Sequence, residues 1–185
     1  LKIRTEDVSF VIDELKIMFE KDKSFSQVAD FDKIGIFGHS FGGCTSIMSA
    51  YNDTRIDAVI GLDAYFLPLP KEVIKKDLNT PFVHLGQVSW GDSDNYEVMS
   101  ELGKSSNREF YHFAIEGSKH NDYTDFSQFT KLTRKFGSGK ISPKSIRYIM
   151  NDVMLGFFDY HLKNRSIFDY NQYQKKYESV KTYVY

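Results

Sequence analysis

The sequence predicts one α/β domain, a mostly parallel sheet flanked by helices, on three observations. Short apolar runs alternate along the chain with longer stretches of helical periodicity, the pattern of strand–helix–strand units. The chain has 185 residues, enough for one domain with a real core. Its composition, 41% hydrophobic and 26% charged, is that of a globular protein, and it contains no internal repeat or low-complexity tract.

Each element follows from its residues. In 5–21 (TEDVSFVIDELKIMFEK), Val8, Val11, Ile12, Leu15, Ile17, Met18 and Phe19 recur largely on one helical face. Thr5 followed by Glu6 and Asp7 suits a helix start, with acids at the positive end of the dipole. Residues 33–37 (KIGIF) form a short apolar strand, and 41–51 form a helix of small and apolar residues. Residues 57–62 (DAVIGL) are the next strand, followed by the turn-rich 63–70 (DAYFLPLP). Two further strands fall at 81–86 (PFVHLG) and 109–115 (EFYHFAI). Residues 143–163 form a long closing helix with Pro143 in its first turn. The tail, 166–185, is polar and tyrosine-rich, and is expected to pack loosely or form a short helix.

Charge and cysteine content narrow the function classes. The 24 basic and 25 acidic residues leave a net charge of −1, with no basic run interleaved with aromatics, so nucleic acid is not an expected partner. Cys44 is the single cysteine, which excludes an internal disulfide and leaves no Cys or His partner at zinc spacing. No apolar run is long enough to span a bilayer. The chain opens without Met in a helical pattern, so the natural N-terminus is expected upstream, and the compartment stays open.

The chemistry is carried by residues 38–42, Gly-His-Ser-Phe-Gly, a G-x-S-x-G pattern. Alone, five residues say little. Here the apolar Ile34, Ile36 and Phe37 run into the motif, and the small residues Gly42 to Ser46 run out of it. That is the strand–turn–helix setting in which a serine is lifted off the sheet on a sharp turn. The following helix N-terminus then favours a developing oxyanion. The flanking glycines are expected to let neighbouring backbone pack closely. Ser40 is therefore the candidate nucleophile.

A serine nucleophile needs a histidine base and an acid to orient it, in the chain order Ser, Asp or Glu, His. His39 lies inside the motif, its ring expected to point away from the serine hydroxyl. His84 and His112 sit in apolar strands and read as packed core, and His161 sits near a helix end where a cation suits the dipole. His120 follows the last strand in a polar, mobile-looking loop, 116–122, the expected place for the base. For the acid, Asp63 ends one strand, while Asp92 and Asp94 follow the next. Spacing alone favours Asp63 only slightly.

Taken together, three segments resemble the plasma-type platelet-activating factor acetylhydrolase family of α/β-hydrolases. Residues 34–43 (IGIFGHSFGG) are similar to its serine motif, 60–69 (IGLDAYFLPL) to its acid segment, and 117–126 (GSKHNDYTDF) to its histidine loop. The likeness continues in order through the closing helix and the Leu162-Lys163-Asn164 turn. It implies Ser40 as nucleophile, Asp63 as acid and His120 as base. It also implies hydrolysis of short or oxidised acyl esters of phospholipids, with no metal or other cofactor. Asp92 is the alternative acid, at the position used by hydrolases of the dienelactone type. Phe41 N–H is one expected oxyanion donor. The second normally comes from a loop after an earlier strand, and no such segment precedes Ser40.

The chain thus reads as the C-terminal, catalytic part of such a fold, lacking its N-terminal strands, with strand 33–37 left at an open edge. An upstream segment or a second chain is expected to complete it. Phe66, Leu67 and Leu69 are candidates for an acyl pocket, for contact with a membrane or lipoprotein surface, or for packing under the sheet edge. Related readings on the same scaffold are a general carboxylesterase, a peptidase and a non-catalytic binding module.

Overall fold

A computed structural model describes residues 1–22, 24, 27–165 and 167–185. In chain order the elements are α1 (Lys2–Lys21), β1 (Ile34–His39), α2 (Phe41–Asn52), β2 (Ile56–Leu62), α3 (Lys71–Ile74), β3 (Phe82–Gln87), α4 (Asp94–Ser105) and β4 (Phe110–Ile115). They continue with α5 (Phe126–Phe129), α6 (Lys131–Lys135), α7 (Pro143–Lys163), α8 (Tyr170–Lys176) and β5 (Val180–Val184). The strands lie in the order β1-β2-β3-β4-β5. The first three pairings are parallel and the last is antiparallel.

Helices cover both faces of the sheet, which is why β2, β3 and β4 are near-continuous apolar runs rather than alternating ones. Successive residues of one strand feed opposite cores. Val59, Phe82 and Phe110 join Ile47, Phe66 and Met99 on the α2 and α4 side. Ile60, Val83 and Phe113 join Ile149, Val153 and Phe157 on the α7 side. The closing helix occupies the expected residues. Pro143 stands at its first position, the Ser142 hydroxyl accepts from Ser145 N–H at 3.0 Å, and Asn164 ends it in the left-handed region at φ 50°.

Three expectations are corrected. The first helix begins at Lys2, not Thr5, and its apolar face is only partly used. Thr5 and Ile12 are buried, whereas Ile3, Phe10, Val11, Leu15, Ile17 and Met18 are exposed. It is tied to the domain by charge. Arg55 bridges Asp53 at 2.6 Å and Asp13 at 2.5 Å, and Ser9 donates to Asp53 at 2.8 Å. The 94–105 helix is not among the elements the sequence predicts, and it begins at Asp94, which reads in sequence only as an acid following a strand. The polar tail forms the short helix α8 but is not loosely packed. Phe168, Tyr173 and Val180 are buried, and β5 pairs along β4 from Val180 to Val184. Alternation hides this strand, because only one of its faces is covered.

Candidate active site

The C-terminal ends of β1, β2, β3 and β4 deliver the site. Ser40 follows β1 with φ 56° and ψ −122°, a conformation L-residues rarely adopt, and it leads directly into α2. The strained turn is held by the neighbouring strand end. Ser40 N–H donates to Leu62 O at 3.0 Å, and its own carbonyl accepts from Tyr65 N–H at 2.9 Å. The glycines divide the work differently from the motif's outline. A Cβ on Gly38 would collide with the Gly42 carbonyl, and one on Gly43 would lie 2.5 Å from the Ala64 methyl, whereas one on Gly42 would meet nothing within 4 Å. Close approach therefore requires Gly38 and Gly43, and Gly42 lies on the open side. Phe41 N–H is the first amide of α2 and has no earlier turn to bond within the helix. The Arg4 guanidinium lies 5.2 Å from the centre of the Phe41 ring.

Asp63 directly follows β2, is fully buried and has φ 42°. Its N–H donates to Leu85 O at 2.7 Å. The turn after it is pinned from two sides. Ala64 N–H donates to His84 Nε2 at 3.0 Å, and Asn95 accepts from Phe66 N–H and donates to Ala64 O. The carboxylate is fully engaged: Oδ2 accepts from His120 Nδ1 at 2.6 Å and from Gln87 Nε2 at 2.7 Å, and Oδ1 accepts from Gln87 N–H at 3.2 Å.

His120 is a third exposed. Its loop looks mobile in sequence but is well anchored. Asp122 accepts from Lys119 N–H at 2.9 Å and from Gly139 N–H at 2.7 Å, and Ser118 is hydrogen bonded to Tyr123 at 2.9 Å. The His120 ring lies between two others. Trp90 stacks on it at 5.4 Å, and His39 sits 4.4 Å away. His39 also donates from Nε2 to His120 O at 3.0 Å, so this motif residue braces the histidine loop. Burial, and the nearby His120, hold His39 below the ordinary histidine range.

Asp92 is exposed and Asp94 opens α4, whereas Asp63 is the carboxylate in contact with His120 among the described residues. The acyl-pocket expectation is corrected for two residues. Phe66 and Leu69 are core residues, and the Phe66 ring packs edge-on against Phe82 and His84. Their sequence position after the acid turn gives no sign of which way the chain folds back. Leu67 is exposed and shares a groove with Tyr65, Trp90 and Ser93. His84 and His112 are core, as expected, with rings 5.0 Å apart. Burial holds both neutral, His112 being pushed down to about 3. Cys44 is fully buried, its thiol pushed up to about 12 by desolvation. Among the described residues, no group of three or more His, Cys, Asp and Glu is placed to hold a metal ion.

Sequence reasoning misses Gln87 and Trp90. The one signal for Gln87 is a polar side chain at the carboxyl end of a buried strand, the edge where parallel sheets place their sites.

Comparison with known proteins bears on the fold and the family. Among solved structures, a ferulic acid esterase from Streptomyces cinnamoneus superimposes with a TM-score of 0.70 at 23% identity, over 90% of this chain and 49% of that one, which establishes the α/β-hydrolase fold. Among curated proteins, the platelet-activating factor acetylhydrolase of Gallus gallus is 29% identical over 143 residues, 76% of this chain and 34% of that protein. The Canis lupus familiaris protein of the same name is 28% identical over 166 residues, 88% of this chain and 35% of that protein. The chain thus spans about a third of the length of these relatives. The family model described as platelet-activating factor acetylhydrolase, isoform II, matches residues 5–184, nearly the whole chain, and the chain belongs to that family.

Proposed function

We propose that this chain carries the catalytic triad of a serine hydrolase that cleaves carboxylic esters, with short or oxidised acyl esters of phospholipids as the substrate class. The observation that carries the reading is the 2.6 Å bond from His120 Nδ1 to the buried Asp63, with the His39 ring, next in sequence to Ser40 on its strained strand-to-helix turn, 4.4 Å from the His120 ring. With its Nδ1 proton committed to Asp63, His120 keeps Nε2 as the basic nitrogen. Ser40 Oγ attacks the ester carbonyl and His120 takes its proton. The oxyanion is received at Phe41 N–H and the α2 N-terminus. His120 then protonates the departing alcohol, leaving an acyl-serine. Water, deprotonated by His120, releases the acid. Family membership supports the reaction class.

The proposal includes further polypeptide at β1, either an upstream segment or a second chain. β1 pairs only with β2 among the described residues, and Phe37 on it is 57% exposed. The helix α1, whose apolar face is largely exposed, packs on α2, the helix that follows β1. That polypeptide would supply the second oxyanion donor; losing one such donor lowers turnover by about 10²- to 10³-fold. Contact with a phospholipid surface is a further part of the proposal, supported by exposed Tyr65 and Leu67 beside the site. Among the described residues no helix is long and apolar enough to cross a membrane.

The test is fluorophosphonate labelling of this chain and of a longer parent, with the labelled peptide mapped and Ser40→Ala as control. Labelling of Ser40 is expected in the longer protein and more weakly in this chain. Absence of labelling in both would overturn the reading.

A further inference from the structure

The buried acid of the triad is held by a residue that no motif identifies. Gln87 ends β3 and is buried, and every polar group on it is engaged. Its N–H and its Nε2 go to the two oxygens of Asp63, at 3.2 and 2.7 Å. Its side-chain oxygen accepts from Ser89 Oγ at 2.5 Å, and its backbone carbonyl accepts from Tyr96 OH at 3.1 Å. The carboxylate, which only accepts, decides which end of the amide faces it: Nε2 turns to Asp63, and Oε1 is left to accept from the Ser89 hydroxyl, which anchors the far side of the amide.

We infer that Gln87, its side-chain oxygen anchored by Ser89, is a positioning residue that fixes the Asp63 carboxylate in the rotamer that presents Oδ2 to His120. The inference rests on the triad reading above. A carboxylate displaced by a fraction of an ångström no longer holds His120 in the reactive tautomer and orientation.

The other titratable groups around the pair are His39 at the end of β1, Tyr96 on α4, and Tyr123 and Asp122 in the histidine loop. Burial keeps both tyrosines protonated well above the ordinary range and holds His39 down. The acidic limb of the kcat/KM profile is therefore compared between wild type and the Gln87 variants, in which these four groups are unchanged.

The experiment uses the longest parent protein that expresses. Turnover of p-nitrophenyl acetate is measured per fluorophosphonate-labelled site for wild type, Gln87→Met, Gln87→Glu and Ser89→Ala, with melting temperatures alongside. Gln87→Met is expected to lower kcat about 10- to 100-fold with KM within about twofold, because only the geometry of the acid changes. Gln87→Glu is expected to move the acidic limb to higher pH by about one unit, since a second carboxylate favours the imidazolium. A merely structural role would lower melting temperature without moving that limb. Ser89→Ala is expected to lower kcat about threefold without loss of stability, a fraction of the Gln87 effect. This variant decides the matter if the Gln87 variants do not fold. Unchanged turnover per labelled site in the folded variants, with the limb in place, would overturn the inference while leaving the triad intact. A wild type that is not labelled at Ser40 would overturn the triad reading itself, and this inference with it.

Discussion

The two margins of the sheet are built differently. On the β3–β4–β5 side β3 and β4 are buried on both faces, the edge is closed by an antiparallel strand from the tail, and Asp63 and His120 are joined by a 2.6 Å hydrogen bond. On the β1 side the strand edge is open among the described residues, and α1 shows solvent six large apolar side chains. Ser40, the proposed nucleophile, sits at the junction, with its strained turn tied to the β2 end through Leu62 and Tyr65. The difference teaches that the chain's own contacts suffice to pair Asp63 with His120, while the proposal leaves the β1 side to further polypeptide.

The largest way to break the comparison is at the acid. Asp63→Asn is expected to lower kcat about 10⁴-fold in the longer parent by stabilising the wrong histidine tautomer. Asp92→Asn, on the exposed loop, is expected to leave turnover near wild type. Steady-state kinetics on the two variants decide between them, and the reverse pattern would remove Asp63 from the triad.

A second contrast concerns packing. Phe66→Ala, in the closed core, is expected to destabilise the fold by about 3–5 kcal/mol. Phe10→Ser, on the open face of α1, is expected to change it by no more than about 0.5 kcal/mol in this chain. Urea unfolding measures both. In a longer parent the Phe10 variant sharpens the comparison, because a substantial cost there would show that the α1 face is covered.

Acid should weaken the β3–β4–β5 side selectively. Folded His84 and His112 are held neutral by burial, so below the ordinary histidine value of 6.5 the unfolded chain binds protons that the folded chain does not. The stability they contribute is present above 6.5 and is lost as pH falls from there toward about 3, where His112 itself protonates. For His112 alone the loss between pH 7.5 and 5 is expected to be about 2 kcal/mol. Unfolding midpoints at the two pH values in wild type and His112→Phe would show it, the variant losing less. Equal losses would remove His112 as the source.

Much of the site is legible in the sequence. The elbow is visible because an apolar strand, a glycine-bounded serine and a small-residue helix are contiguous. The proposed base is visible because His120 alone among five histidines lies in a polar loop past the last parallel strand. The proposed acid is only half legible. Asp63 and Asp92 both follow strands, and choosing between them requires knowing which strand end faces His120. Gln87 is invisible for a related reason: its partners Asp63, Ser89 and Tyr96 are brought together only by the β2–β3 pairing and by α4.

Local sequence by itself determined the parallel-sheet architecture, the closing helix with its Ser142-Pro143 start, and the nucleophile turn, because period, capping and glycine spacing act over a few residues. Tertiary structure alone decided that Gly43 rather than Gly42 is sterically required, and that Phe66 and Leu69 are core rather than pocket lining. It alone also decided that the polar tail closes the sheet and that much of α1's apolar face stays uncovered. In each of these cases the deciding contact joins residues distant along the chain, and hydrophobicity records that a side chain seeks burial without recording which neighbour provides it.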